Sequence, residues 1–214
     1  LVEATDYSEA WVDSTMSRKS WGYGAERAPS THPVAGSPAP DAKSALANFD
    51  GISYAKGAAV IRQLIEFIGD EAFLEGIRDY LTAHSFGNGT LAAFLAAMSR
   101  ASGQDLAAWS AAWLETSGVD TIAVDRAAGT VTRQAPAGHP AQRPHAVDVA
   151  TYAQGDETSR TTLTLDADSA PLEGVDLAAP LVLPNAGDRT WATPLLDEQS
   201  LAALRTELPA MTDA

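Results

Sequence analysis

Asn48-Phe49-Asp50-Gly51-Ile52-Ser53-Tyr54-Ala55-Lys56-Gly57-Ala58 places a tyrosine and a lysine where a loop is predicted to become a helix. Apolar residues then recur at helical spacing, at Val60, Leu64 and Ile68. A tyrosine at such a point can direct its hydroxyl into a cleft while the helix behind it is anchored in a core. A hydroxyl held in this way suits a hydrogen-bond donor to a transition state. Tyr54 is therefore the first candidate for a functional residue.

Tyr54 and Lys56 each have a second, purely structural interpretation. An aromatic residue at a helix start commonly packs its ring and leaves its hydroxyl to water. A lysine is most often solvated. Residue chemistry alone leaves both interpretations open, so the surrounding sequence has to decide between them.

The sequence on both sides of this segment, residues 1 to about 119, has helical periodicity. Asp70 and Thr90 are predicted N-caps. The stretch Ala28–Asn48, with Pro29, Pro33, Pro38 and Pro40, is predicted to be one long loop, and loops of that length are often functional. The predicted helices run from about Asp6 to Tyr23, from Tyr54 to Gly69, from Asp70 through Leu81, from Thr90 to Gly103 and from Asp105 to Gly118.

From Val119 onward, apolar and polar residues alternate in short runs separated by Gly, Pro, Asp and Asn, which predicts β-strands. The runs are Thr121–Val124, Thr130–Thr132, His145–Tyr152, Thr161–Leu165 and Leu181–Leu183. We therefore predict an α+β fold, in which a multi-helix part (1–119) precedes a small β-sandwich (120–186). Residues 187–214, with a helical run from Glu198 to Leu208, are predicted to be a linker and the start of a further helical domain.

The composition excludes several classes of protein. A formal net charge of −14 without any basic run argues against nucleic acid as a partner. No apolar stretch approaches the length needed to span a bilayer, so no membrane partner is predicted. The absence of cysteine excludes a disulfide framework and fits a reducing compartment, so we predict a cytoplasmic location.

Motifs that would place a complete catalytic centre within this sequence are absent. The 4 histidines (His32, His84, His139 and His145) include no H-E-x-x-H zinc motif. We interpret them as loop and strand-edge residues. There is no G-x-S-x-G nucleophile elbow and no G-x-G-x-x-G or phosphate-binding loop.

Several segments, in the right order along the chain, resemble the aminopeptidase N family of zinc metallopeptidases (gluzincins). The family pattern F-D-x-I-[ST]-Y-x-K-G-A is matched by Phe49–Ala58. Further matches are His32-Pro33, Gly69–Phe73, Tyr80 with His84, Ser102–Leu106 and Trp113–Gly118. Arg143-Pro144-His145 at the start of a strand resembles the actinobacterial-type members.

The resemblance implies a layout and a role for Tyr54. Residues 1–119 would be the C-terminal part of a thermolysin-like catalytic domain, 120–186 the β-sandwich domain, and the tail the start of the large helical domain. Tyr54 falls on the catalytic tyrosine of the family, which donates a hydrogen bond to the oxyanion of the tetrahedral intermediate while zinc polarises the same oxygen. The zinc-binding motif, the third ligand and the motif that binds the substrate amine lie upstream in the family and are not in this sequence.

We therefore expect a fragment of a zinc aminopeptidase. The chain begins without Met, directly in a helical pattern, as a fragment would. The parent would act on peptides, with Zn²⁺ as its cofactor, and its other parts would be an N-terminal catalytic segment and a C-terminal helical domain. No metal ligand is assigned here, and the fragment alone is expected to be inactive. Two alternatives stay open: a non-catalytic helical and β-sandwich module that binds a protein partner, and a homologue that has lost its metal site.

Overall fold

The computed structural model describes residue 7, residues 10–36 and residues 39–211. It has a helical part followed by two packed β-sheets, which confirms the predicted α+β fold. The α-helices are α1 (Ala10–Asp13), α2 (Ser20–Arg27), α3 (Ala42–Ala47), α4 (Gly57–Ile68), α5 (Asp70–Ala83), α6 (Leu91–Ser102), α7 (Ala107–Leu114) and α8 (Glu198–Glu207). The strands are β1 (Asp120–Asp125), β2 (Thr130–Gln134), β3 (His145–Ala153), β4 (Asp156–Leu165), β5 (Ser169–Pro171), β6 (Leu181–Pro184) and β7 (Ala192–Leu195).

The first helix is longer at its C-terminal end than predicted. α1 continues through a π-helical segment, Ser14–Lys19, into α2 without leaving helical backbone angles. It ends at Arg27 rather than Tyr23, while the predicted start at Asp6 lies outside the described residues. The additional turn carries Glu26, whose side chain is buried.

The predicted long loop contains a helix that the sequence analysis missed. α3 (Ala42–Ala47) begins after Asp41, whose Oδ1 accepts a hydrogen bond from the Ser44 amide at 2.7 Å. Alanine is the strongest helix former, and an Asp N-cap supplies the start signal. The prolines directed the prediction to a loop, and Pro38 lies outside the described residues.

The helical core forms where α4, α6 and α7 meet. The predicted cap at Thr90 is confirmed, since its hydroxyl accepts a hydrogen bond from the Ala93 amide at 3.1 Å. Gly103 ends α6 in the left-handed conformation at φ 69°, as predicted. The predicted cap at Asp70 is wrong, because Gly69 occupies the cap position and Asp70 is the first helical residue. The buried apolar side chains of this core include Val60, Leu64, Ile68, Met98, Leu106, Trp109 and Trp113.

The β part is a sandwich of two sheets with the strand orders β5-β2-β1-β7 and β4-β3-β6. A hairpin joins β1 and β2, with Asp125 opposite Thr130 and Gly129 at φ 66° in the turn. The inner faces of both sheets supply the core, which includes Ile122, Val124, Val131, Val147, Val149, Leu165 and Val182. β7 pairs in parallel with β1, so this sheet includes residues from the range predicted as a linker. The division into 1–119, 120–186 and 187–214 stays a prediction.

The helical part and the sandwich pack directly against each other. Gln63 of α4 donates to the carbonyl of Ala146 at 2.9 Å and accepts from its amide at 2.8 Å. The Trp113 indole donates to the carbonyl of Pro144 at 3.0 Å. Trp191, just before β7, is fully buried in the helical core, and its ring centroid lies 4.3 Å from that of Tyr23. Within the described ranges, the structure contains no helix long and apolar enough to cross a bilayer.

Candidate functional site

Tyr54 lies inside a π-helical segment, Ile52–Lys56, that leads directly into α4. The helix therefore starts a few residues earlier than predicted, and Tyr54 is in its first turn rather than at the loop boundary. Ile52, Ala55 and Lys56 are buried, whereas Tyr54 is 53% exposed. π-helical turns are frequent at functional sites. The segment is thus anchored on both sides of Tyr54 and presents that ring outward.

Asp50 caps the helix that carries Tyr54. Its Oδ1 accepts hydrogen bonds from the amides of Ile52 at 2.9 Å and Ser53 at 3.2 Å. Its Oδ2 lies 3.2 Å from Nε2 of His32, whose Nδ1 lies 2.8 Å from the carbonyl of Pro33. The structure thus joins two of the matched motifs, the His-Pro pair and the Tyr54 segment, through one carboxylate.

The Tyr54 segment also contacts α2 through two glycines. A Cβ at Gly51 would lie 2.7 Å from the Cα of Gly22, and a Cβ at Gly22 would lie 2.6 Å from the Trp191 ring. No real Cβ makes such contacts, so only glycine allows the two backbones to approach this closely. Gly51 therefore fixes the distance between the Tyr54 segment and α2.

The interpretation of Lys56 as a solvated lysine was wrong. It is not solvated: its side chain is 0% exposed, and that of its partner Glu26 is 1% exposed. The ammonium nitrogen lies 3.2 Å from both carboxylate oxygens of Glu26 and donates to the carbonyl of Thr116 at 2.9 Å. Burial lowers the pKa of Lys56, and the neighbouring Glu26 carboxylate opposes that shift. We refer to Glu26 and Lys56 as the Glu26–Lys56 pair.

An open cavity of about 560 Å³ lies beside the Tyr54 ring. We call it the Tyr54 groove. Tyr54 stacks on Trp21 with ring centroids 6.3 Å apart, and Phe49 lies 6.0 Å away on another side. The residues lining the groove are mostly aromatic, small or cationic; they include Trp11, Arg18, Lys19, Trp21, Tyr54, Ala58, Arg62 and Asp188.

A buried charge cluster lies where the helical part meets the sandwich. Asp120 accepts from Arg143 at 2.5 Å and from Arg133 at 3.0 Å, and it lies 2.9 Å from Nε2 of His145. Burial opposes the ionisation of Asp120, but the hydrogen bond from His145 and the charge of Arg143 outweigh it and lower the pKa of that carboxyl. We refer to Asp120, Arg133, Arg143 and His145 as the junction cluster.

His145 is not a strand-edge residue as predicted, because it is 0% exposed at the start of β3. Its Nδ1 lies 2.8 Å from the Thr190 hydroxyl, which can donate to it while Nε2–H donates to Asp120. Burial lowers the pKa of His145, only partly offset by its hydrogen bond to Asp120. Arg133 and Arg143 already balance the charge of Asp120. We therefore assign the neutral form to the His145 imidazole. Sequence reasoning missed the pair because Asp120 and His145 meet only in the folded sandwich.

The histidines do not assemble into a metal site. His139 is exposed and His84 lies 2.9 Å from the carbonyl of Tyr80, while His32 and His145 have the partners described above. In the part of the chain that the structure describes, no three histidine, cysteine or acidic side chains converge on a point where they could hold a metal ion. The described residues therefore do not fit a zinc site.

The sequence matches the family model "Peptidase family M1 domain" over residues 3–113. This chain belongs to peptidase family M1. The resemblance on which the sequence analysis relied is thereby confirmed. The matched residues include the whole Tyr54 segment and both halves of the Glu26–Lys56 pair.

One relative extends the match into the sandwich. Aminopeptidase N of Streptomyces lividans is 36% identical over 97% of this chain, which covers 27% of that relative. Aminopeptidase A of Gloydius brevicauda is 38% identical over 40% of this chain and 9% of its own length. The chain thus spans only a minor part of the family M1 relatives that it matches.

A solved structure supports the fold at lower identity. Legionella pneumophila aminopeptidase A, crystallised with aspartic acid, superposes with a TM-score of 0.57 at 19% identity. The superposition covers 77% of this chain and 20% of the Legionella chain. At this identity the likeness supports the fold alone.

Proposed function

We propose that this chain is part of a zinc-dependent aminopeptidase that removes N-terminal residues from peptides. We further propose that Tyr54 is a catalytic residue of that enzyme. Attack by a water molecule that has given up a proton on the scissile carbonyl produces a tetrahedral intermediate with a negative charge on the former carbonyl oxygen, and the Tyr54 hydroxyl donates a hydrogen bond to that oxygen. The relatives named as aminopeptidases support the reaction class.

One observation supports the role of Tyr54 above the others. Tyr54 is 53% exposed, yet Ile52 and Ala55 on either side of it are buried, and Asp50 caps the start of the segment. A donor held on a rigid element stabilises developing charge without reorganising first, which is the main source of oxyanion stabilisation. The hydroxyl is also free to meet a substrate, because the ring lines the open Tyr54 groove.

The residues of this chain bind and orient rather than activate water. The Tyr54 groove offers stacking surfaces and, at Arg18 and Arg62, positive charge. The described residues do not fit a zinc site, so the zinc ion of the proposed enzyme would be held by residues outside the described part. We also propose that the 214 residues alone do not hydrolyse peptides, since their sequence lacks the H-E-x-x-H motif.

The test is Tyr54→Phe in the complete protein that carries this chain, assayed on aminoacyl-arylamides. Loss of one oxyanion donor lowers kcat by about 10²–10³-fold, and KM changes little because the hydrogen bond forms mainly in the transition state. Tyr23→Phe is the matched control, because its hydroxyl donates to the carbonyl of Ala192 at 2.9 Å inside the fold. Equal kcat for wild type and Tyr54→Phe would refute the catalytic role. Peptide hydrolysis by the 214 residues alone would refute the proposal for the isolated chain.

A further inference from the structure

A buried ion pair lies just beyond Tyr54 in the same helical segment. The Glu26–Lys56 pair is excluded from water, with side chains 1% and 0% exposed. A lysine is rarely buried to this extent, and a buried charge is costly unless it is fully partnered. A more stable core could use two apolar side chains at these positions. The presence of a charged pair at this point therefore calls for an explanation beyond packing.

The pair joins three segments of the chain. Lys56 ends the π-helical segment of Tyr54, and Glu26 belongs to the last turn of α2. Lys56 also donates to the carbonyl of Thr116, while Glu26 accepts from the amide of Gly118. Thr116 and Gly118 lie between α7 and β1. The hydrogen bonds of the Glu26–Lys56 pair thus connect the Tyr54 segment to α2 and to the segment that leads into the sandwich.

Arg143 extends this network of hydrogen bonds into the sandwich. Its guanidinium donates to the Thr116 hydroxyl at 2.8 Å and to the carbonyl of Ser117. It also donates to Asp120 of β1 at 2.5 Å. The connection that receives the Lys56 hydrogen bond is therefore itself held by the junction cluster. The carbonyl that accepts the Lys56 hydrogen bond therefore belongs to a segment that is itself fixed in position.

The geometry points to a positioning role: we propose that the Glu26–Lys56 pair sets the place of the Tyr54 hydroxyl in the Tyr54 groove. This inference rests on the proposed function, in which Tyr54 donates to the oxyanion. A catalytic donor must be held within about 0.5 Å of its productive position. Only Ala55, itself buried, separates Tyr54 from Lys56, so a shift of the Lys56 backbone moves the tyrosine with it.

The test is a double-mutant cycle in the complete protein, with kcat and KM measured for Lys56→Met, Tyr54→Phe and the two combined. A misplacement of about 1 Å can lower the rate by about 10²-fold, so we expect Lys56→Met to lower kcat by about 10–100-fold with little change in KM. In the Tyr54→Phe background, Lys56→Met should lower kcat no further, because there is no hydroxyl left to misplace. Independent, multiplying effects of the two changes would overturn the inference.

A further variant separates positioning from folding. Glu26→Met with Lys56→Met removes both buried charges, which avoids leaving one charge unpaired. Because no unpaired charge is left, we expect this variant to fold. Because it cannot make the hydrogen bonds to Thr116 and Gly118, we expect its kcat to remain about 10–100-fold below that of wild type. Crystal structures should show the Tyr54 hydroxyl displaced. Wild-type kcat in this variant would overturn the inference.

The control is Arg126→Met, which removes a partly buried charge in the sandwich. Arg126 bonds to Asp197 at 3.0 Å and to Ser200 at 2.7 Å, both remote in sequence from the Tyr54 segment. It should lower stability and leave kcat unchanged. If Tyr54→Phe keeps wild-type kcat, the proposed function fails and the inference fails with it. If Tyr54→Phe loses activity but Lys56→Met multiplies that loss, only the inference fails.

Discussion

Two glycines of α2, Gly22 and Gly24, permit a matched test of how closely the Tyr54 segment packs. Both lie in the same helix and both can be changed to alanine. A Cβ at Gly22 would lie 2.6 Å from Trp191, 2.9 Å from the Cβ of Ala55 and 3.1 Å from the carbonyl of Gly51. A Cβ at Gly24 would meet no described atom within 4 Å.

The magnitudes follow from two opposing effects. Alanine in place of glycine inside a helix stabilises by about 1 kcal/mol. That gain is common to both variants and cancels in their difference. Forcing an additional methyl group into a filled space costs about 1–3 kcal/mol, and only Gly22→Ala bears that cost. We therefore expect Gly24→Ala to be more stable than wild type, and more stable than Gly22→Ala by about 1–3 kcal/mol.

The free energy of unfolding of each variant is measured by urea titration, followed by tryptophan fluorescence. The m-value should be unchanged, so that a shift in midpoint reports stability. In the complete protein, Gly22→Ala should also lower kcat, because its methyl group pushes against Ala55, the neighbour of Tyr54. Equal unfolding free energies for the two variants would refute the close packing of α2 against the Tyr54 segment.

Two further predictions concern the charges around the site. For His145, the folded pKa is lowered, so the unfolded chain binds a proton that the folded chain excludes as the pH falls below the ordinary value of 6.5. Wild type should therefore lose more unfolding free energy than His145→Gln as the pH falls below about 6.5, by no more than about 1.4 kcal/mol per pH unit, which is the limit for one proton. Parallel urea-derived pH curves for the two proteins would contradict this. For Asp50, Asp50→Ala removes a helix cap worth about 0.5–2 kcal/mol and should lower both stability and kcat. The control is Asp41→Ala, which removes the cap of α3. It should lower stability by a similar amount and leave kcat unchanged. A loss of kcat in both variants would refute a special role for the Asp50 cap.

The sequence predicted the main elements because their signals are local. Tyr54 was selected from its own segment, and Thr90 and Gly103 marked the ends of α6 by cap chemistry alone. α3 was predicted as loop although its signals, an Asp cap followed by alanines, are also local. The prolines of the same stretch indicate a loop and masked those signals.

The features that were missed depend on partners far along the chain. Lys56 looks like an ordinary surface lysine until the chain brings Glu26 to it, and Glu26 lay beyond the predicted end of its helix at Tyr23. His145 looks like a strand-edge histidine until Asp120 lies beside it. Burial of a charged or titratable side chain is a property of the folded neighbourhood, and periodicity carries no information about it.

The position of Trp191 also has a consequence for synthesis on the ribosome. Nascent domains generally fold from the N-terminus as they emerge, at about 5–20 residues per second. The last helix of the core, α7, is complete at Leu114, but the indole that fills the space beside Gly22 is translated only after six sandwich strands. For a time on the order of ten seconds, the helical core of the nascent chain lacks the Trp191 side chain. A chaperone that binds during this time would bind an intermediate whose core is incompletely packed.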